Sequence, residues 1–243
     1  MLVLLQKEIN DFLNSLIGYM VIIIFLVVVG LFLWVFPGEY NILDSGYANI
    51  DSLFILAPWV FMFLAPAVTM RMFSEEQRNG TIELLLTKPL SEWQIVWSKY
   101  LAGVLLVMFS LLPTLVYFLT VSELGLPKNN VDTGAMWGSY IGLFFLASAF
   151  ISIGIFASSI SSNQIVSFVI ALFLCFFSYV GFESLSSLEL FGIADHVILK
   201  LGVNEHYISL SRGVIDSRDI LYFLSLIALF LMLTKVKLDS RKW

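Results

Sequence analysis

The run "GYMVIIIFLVVVGLFLWVF", Gly18–Phe36, contains no charged residue and does not alternate between apolar and polar positions. Lipid admits two kinds of spanning structure, helices and closed barrels, because both satisfy every backbone N–H and C=O internally. A barrel strand alternates apolar and polar residues over segments of about ten residues. Residues 18–36 break that rule along their whole length, so the run is a helix, and one long enough to cross a bilayer.

Composition extends the conclusion to the rest of the chain. Of the 243 residues, 59% are hydrophobic and 13% charged, with a mean hydropathy of +0.93. A soluble domain carries about 25% charged residues, and half that proportion does not cover a water-facing surface. The expected class is an all-α integral membrane protein with the lipid bilayer as its main partner. At roughly 20 apolar residues per span, the length accommodates six helices with modest loops and no separate soluble domain. Cys175 is the only cysteine. It lies in an apolar run, is expected to be a packing residue, and rules out an intrachain disulfide framework. The first apolar run is longer than a signal-peptide core and is not followed by an A-x-A-type site, so no cleaved signal is expected.

Residues 1–15 read as an amphipathic helix on the membrane surface. Leu2, Leu5, Ile9, Phe12 and Leu13 form its apolar face, with Gln6, Lys7, Asn10, Asp11 and Asn14 opposite. Spans follow at about 16–36, 53–70, 101–121, 135–157, 165–182 and 220–236. A charged segment occupies 71–99 and a longer loop, read as short helices at the interface, occupies 183–218. Pro58 and Pro66 in the second span and Pro113 in the third each interrupt the helical hydrogen-bond ladder and are expected to bend or locally unwind it. With the N-terminus inside, nine of the thirteen Lys and Arg fall on inner segments and four on outer loops. This bias places both termini in the cytoplasm, with 71–99 on the same side. Eleven of the eighteen acids fall in the outer loops, and no charge pattern here points to nucleic acid.

The segment "FSEEQRNGTIELLLTKPLSEWQ", Phe73–Gln94, is dense in structural signals. Ser74 with Gln77, and Ser91 with Gln94, have capping-box spacing. Asn79-Gly80 marks a turn that tolerates left-handed backbone. Thr81 is placed to cap a second short helix with Glu83 in its first turn, and Pro89 to end it. The expected shape is an ordered elbow. Its apolar cluster at Leu84, Leu85 and Leu86, with Trp93 behind and acidic residues at the rim, suits a groove on a soluble partner.

The whole chain resembles permease subunits of the type-2 ABC (ABC-2) exporter superfamily. The resemblance is strongest at "EQRNGTIELLLTKPLSEWQIVWSK". There Glu76, Gly80, Thr81, Glu83, Leu85, Leu86, Pro89 and Lys99 follow the pattern of the family's loop between spans two and three, with Ser98 where a glycine is common. "SRGVIDSRDILYF", Ser211–Phe223, resembles the family's run into its last span. Within the superfamily, "SLIGYMVI" and "FLAPAVTMRMFSEEQRNGTIELLLT" are most similar to the gliding-motility-associated permeases of Bacteroidetes.

The resemblance implies a bacterial inner-membrane permease with a coupling helix in residues 74–87. It implies export driven by a separate ATP-binding subunit that holds ATP and Mg, together with a second permease chain and an accessory gliding-type membrane subunit. Glu75, Glu76, Arg78 and Glu83 are then expected to form the ionic rim of the ATPase contact, with Gly80 and Thr81 fixing its shape. No G-x-x-x-x-G-K-[ST] phosphate cradle occurs in the chain, so catalysis is not expected here.

Other chemistries find less support. His196 and His206, beside Asp195 and Glu205, are too sparse for a metal site, and none is expected. The serines within spans, Ser110, Ser148, Ser152 and Ser178, have no histidine at their depth to activate them. The spans hold no mid-depth charge of the kind that couples ions to transport. Gly138 and Gly142, like Ser148 and Ser152, have small-x-x-x-small spacing, which is expected to serve packing within the subunit. The alternative to a transporter is a scaffold through which an ATPase transmits force without moving a solute.

Overall fold

The computed structural model describes the backbone of residues 1–86, 90–128, 131–189 and 192–240, with side chains except at positions 17, 84–86, 193 and 194. The protein is all-α: 80% of it is helical, and no strand occurs among the described residues. The amphipathic α1 (Leu2–Leu13) and the apolar α2 (Leu16–Trp34) meet at 61°. A short α3 (Ile42–Ser45) precedes α4 (Asp51–Thr69), which passes through a turn into α5 (Ser74–Arg78). After α6 (Thr81–Leu86) come α7 (Glu92–Leu111), a 3-10 turn at Leu112–Thr114 and α8 (Leu115–Leu124). The long α9 (Thr133–Ile160) and α10 (Gln164–Phe176) follow. A π-helical segment, Phe177–Gly181, leads into α11 (Phe182–Ser186). Two short helices, α12 (Ile193–Leu199) and α13 (Val203–Ser211), then precede the final α14 (Ser217–Asp239).

Five of these lengths are apolar and long enough to cross a membrane: Asp51–Arg78, Glu92–Leu124, Thr133–Ile160, Gln164–Ser186 and Ser217–Asp239. The bent pair α1–α2 makes a sixth if it is counted as one span. Most of the long helices open on a short polar side chain that takes up a free backbone N–H. Ser15 does so for α2, Ser91 for α7, Asp132 for α9, Asn163 for α10 and Asp216 for α14.

The central element is α9. In its most apolar stretch 78% of the residues are buried, against 28% for the length Gln164–Ser186 and for α14, so those two lengths turn most of their surface outward. Its small residues set the spacing of its neighbours. A Cβ on Gly138 would lie 2.5 Å from the Gly213 carbonyl oxygen, and one on Gly142 would lie 2.5 Å from the Leu210 Cβ. The G-x-x-x-G pair therefore packs α9 against the end of α13 within the same chain, as its spacing suggested. Cys175 is fully buried on α10.

The prolines divide into two kinds. Neither Pro58 nor Pro66 unwinds α4, which stays α-helical through both. The reason is visible at Pro58. Its missing N–H leaves the Phe54 carbonyl without an intrahelical donor, and the buried Tyr207 hydroxyl on α13 donates to that oxygen at 2.7 Å. Burial pushes the Tyr207 pKa well above its ordinary value of 10.0, so the hydroxyl keeps its proton, and its role as donor, throughout the physiological range. At Pro113, by contrast, the α-ladder gives way to the 3-10 turn. There Thr114 bonds back to the Leu111 carbonyl at 2.7 Å and meets the Tyr140 hydroxyl at 2.9 Å.

Two substitutions check this packing by thermal unfolding in detergent. Gly138→Val forces a side chain against the Gly213 backbone. It should cost about 1–3 kcal/mol, seen as a melting point lower by about 5 °C. Tyr207→Phe keeps the ring and strands the Phe54 carbonyl, for a loss of about 1 kcal/mol. An unchanged melting point in either variant would refute the corresponding contact.

Candidate functional site

The 71–99 segment is built from the ends of the helices that flank it. Asp51–Arg78 forms one helical length, and Glu92–Lys99 is the first part of α7. Between them lies a tight turn in which Gly80 adopts φ +69°, the left-handed backbone that Asn79-Gly80 led one to expect. The second capping box forms as read. The Gln94 N–H donates to Ser91 Oγ at 3.3 Å, and the Ser91 N–H donates to Gln94 Oε1 at 3.1 Å.

The first capping box does not form. Ser74 is a buried residue inside α5, and its hydroxyl turns back to the Met70 carbonyl. Gln77 reaches away from its own helix and donates to the Ser159 carbonyl at 2.9 Å. The acceptor for the start of α5 comes from another helix: Ser158 Oγ, at the end of α9, takes the N–H groups of Phe73 at 3.0 Å and Ser74 at 3.1 Å. Thr81, read as a cap, is the first residue of α6, with its hydroxyl 3.4 Å from the Glu76 carbonyl.

At the base of the segment sits a buried lysine. Lys99 is 1% exposed, and its Nζ lies 2.9 Å from Glu8 Oε1 and 3.0 Å from Glu76 Oε1. The Phe73 ring covers it, with its centroid 5.1 Å from Nζ. Lys7 adds a longer contact to Glu76 at 3.6 Å. The ion cluster therefore joins three elements: α1 through Glu8, α5 through Glu76 and α7 through Lys99. A charge is taken out of water at a cost of several kcal/mol, and close pairing with further hydrogen bonds is what offsets that cost. On α1 the protein-facing stripe is Leu4, Glu8 and Phe12, one residue per turn with the carboxylate in the middle. An apolar-versus-polar sorting of the helix hides this stripe, although the i, i+4, i+8 spacing of Leu4, Glu8 and Phe12 was there to find.

The residues expected to meet a partner consequently separate. Glu76 faces inward to Lys99, with one carboxylate oxygen buried and unbonded. Glu75 is half-buried and pairs with Arg71 at 2.9 Å. Arg78, Asn79, Gly80, Thr81 and Glu83 are exposed at the tip, while Ile82 is buried beneath them. The side chains of Leu85 and Leu86, and the whole of Pro89, lie outside the described residues. A cleft of about 350 Å³ opens beside the cluster between α1, α5 and α7, with Asp11, Arg71 and Glu75 on its walls.

The other polar candidates serve the fold. His206 places Nδ1 2.7 Å from Asp219 and Nε2 2.9 Å from the Lys200 carbonyl, and it stacks on Tyr222 at 3.9 Å. These contacts fasten α13 to α14. His196 is exposed on α12. Of the span serines weighed as nucleophiles, Ser110 returns its hydroxyl to Val107 and Ser152 to Ala149, each at 2.7 Å, and Ser178 to Cys175 at 2.9 Å, while Ser148 meets Tyr100.

The described part of the charged segment lies between two long apolar helices of an all-α chain whose start is amphipathic and bent. A family model described as ABC-2 family transporter protein matches residues 2–234. The chain belongs to the ABC-2 transporter family. It is a multi-pass membrane protein and the transmembrane kind of component, with no nucleotide-binding domain evident in its sequence. Membership implies an ATP-binding partner subunit. No curated protein matches the chain.

The ion cluster makes a quantitative prediction. Lys99→Met takes the buried cation from Glu8 and Glu76, leaving them only the longer contacts of Lys7, and should lower stability by about 3–5 kcal/mol. Adding Glu8→Gln to that variant should cost much less than Glu8→Gln costs alone, with a coupling of about 1 kcal/mol or more in a double-mutant cycle. Additive losses in SDS-titration unfolding would show that the two residues do not act as a pair.

Proposed function

We propose that this ABC-2 chain is the permease subunit of an ATP-driven exporter, and that residues 71–99 are where the ATP-binding subunit engages it. The observation that carries the proposal is the division within the segment. Its tip presents Arg78, Gly80, Thr81 and Glu83 to solvent, while its base is held by the Lys99 cluster and by Ser158. A contact meant to transmit movement needs an exposed recognition surface on a rigid root, and a loop that merely joined two spans needs neither. The tip's charges would set orientation and specificity, with the α6 leucines as apolar anchors.

On this reading ATP and Mg are bound by the partner subunit, and a second permease chain completes the membrane part. The chain lies in a bacterial inner membrane with both termini and the 71–99 segment in the cytoplasm, in keeping with the distribution of Lys and Arg. The similarity of "SLIGYMVI" and of the block ending in Thr87 to the gliding-motility-associated permeases supports service in gliding or surface secretion, with an accessory membrane subunit of that type.

The test is purification of the tagged chain from its native membranes in mild detergent. An ATP-binding subunit with a Walker motif should accompany it, and the preparation should hydrolyse ATP. Reversing the tip charges with Arg78→Glu and Glu83→Lys should reduce the accompanying subunit about tenfold, while the melting point of the permease holds. Unchanged recovery and unchanged ATP turnover would remove the tip from the contact. Stimulation of turnover by a particular solute in vesicles identifies a transporter, and its absence for every candidate cargo favours the scaffold.

A further inference from the structure

We propose that Ser158 is a positioning residue, through which movement of the 71–99 segment is delivered to the central helix α9. The inference rests on the proposed engagement of an ATP-binding subunit at the tip. Ser158 is fully buried, and its hydroxyl is used to capacity. It accepts the N–H groups of Phe73 and Ser74 at 3.0 and 3.1 Å and donates to the Met70 carbonyl at 3.1 Å. A hydroxyl has one proton and two lone pairs to offer, and all three are committed to the corner between α4 and α5.

This corner has no cap of its own. The residue before α5 is Phe73, whose side chain accepts nothing, and Ser74 points back along the chain. The first N–H groups of a helix lack intrahelical partners, so without Ser158 two buried donors would be stranded. Contacts on either side show that the corner is seated on α9 rather than touching it once. One turn earlier on α9, Gly154 admits Thr69 so closely that a Cβ there would lie 2.0 Å from Thr69 Oγ1. One residue later, the Ser159 carbonyl receives Gln77 at 2.9 Å. The end of α4 cannot slide past α9 at Gly154, and α5 cannot tilt away from it without breaking the bonds at Ser158. Displacement of the tip is therefore passed to α9, the most buried helix of the bundle, as well as along α4.

The experiment uses the complex of the chain with its ATP-binding subunit, comparing Ser158→Ala, Ser158→Thr and the unaltered chain. Three quantities are read: hydrogen exchange at the amides of residues 73–77, affinity for the ATP-binding subunit, and the change in ATP turnover that the permease causes. Ser158→Ala should speed exchange at residues 73–77 and reduce the permease-dependent change in turnover, each about fivefold. Affinity should stay within about twofold of the unaltered chain, because the tip is untouched. Ser158→Thr, which keeps a hydroxyl, should restore both losses. Unchanged exchange in Ser158→Ala would overturn the cap. Faster exchange with unchanged turnover, or a fall in affinity that matches the fall in turnover, would overturn the positioning role. An unaltered chain that binds no ATP-binding subunit would overturn the underlying reading, and the positioning role with it, while exchange would still decide whether Ser158 is the cap.

Discussion

A buried backbone group must find a hydrogen-bond partner inside the protein when no water is within reach, and each feature that organises this chain answers that requirement. In a regular helix the ladder meets it automatically. The difficulty is concentrated at helix ends and at prolines, and at two points without a local cap, Pro58 and the head of α5, the bundle uses side chains from elsewhere. The carbonyl freed by Pro58 is taken up by Tyr207, 153 residues along the chain. The orphan donors at the head of α5 are taken up by Ser158. Each repair is also a tie between elements, so satisfying the backbone and fixing the tertiary arrangement are one event. Tyr207 holds α13 on α4, and Ser158 holds the α4–α5 corner on α9.

The charged residues follow the same economy. Lys99 stands in α7 where the helix passes from its polar start to its apolar length and is 1% exposed, a place where an unpaired ammonium would be costly. Glu8 and Glu76 surround it, and the cluster they form joins the amphipathic start of the chain to both sides of the 71–99 segment. Small residues on α9 supply the remaining precision. Where Gly138, Gly142 and Gly154 stand, the neighbouring backbone or side chain occupies the space a Cβ would take. The bundle is tightest along α9, against which α4, α7, α10, α13 and α14 all pack.

How much of this could be read in advance depended on how far apart the partners stand. The class of fold was plain in residues 18–36, because the absence of alternation is a property of a single run. The Ser91–Gln94 box and the turn at Gly80 were also legible, since both are decided within four residues. Ser74 has the same local spacing as Ser91 and behaves otherwise, because a better acceptor for its amide lies 84 residues away on α9. Glu8 was missed for a related reason: sorting a helix into wet and dry faces assumes that charges seek water, and this one has a buried lysine. Glu76, expected at the rim, is drawn inward by the same lysine, leaving Arg78 and Glu83 as the exposed charges. The π-helical segment at Phe177–Gly181 has no sequence signature. It turns Tyr179 into an aromatic cluster with Trp59, Phe150 and Tyr207, which only the assembled bundle reveals.

The Lys99 cluster has a consequence for the order in which the molecule is made. Glu8 is synthesised 91 residues before the lysine that neutralises it. Until α7 has emerged and entered the bundle, Glu8 has only Lys7 of its own helix within ion-pair distance, and α1 lacks the helix against which most of its contacts are made. The buried seat of the helix that comes first in the sequence is therefore complete only once α7 is in place. Its arrival seals the base of the 71–99 segment, so the ion cluster marks a permease whose first three long helices have found one another.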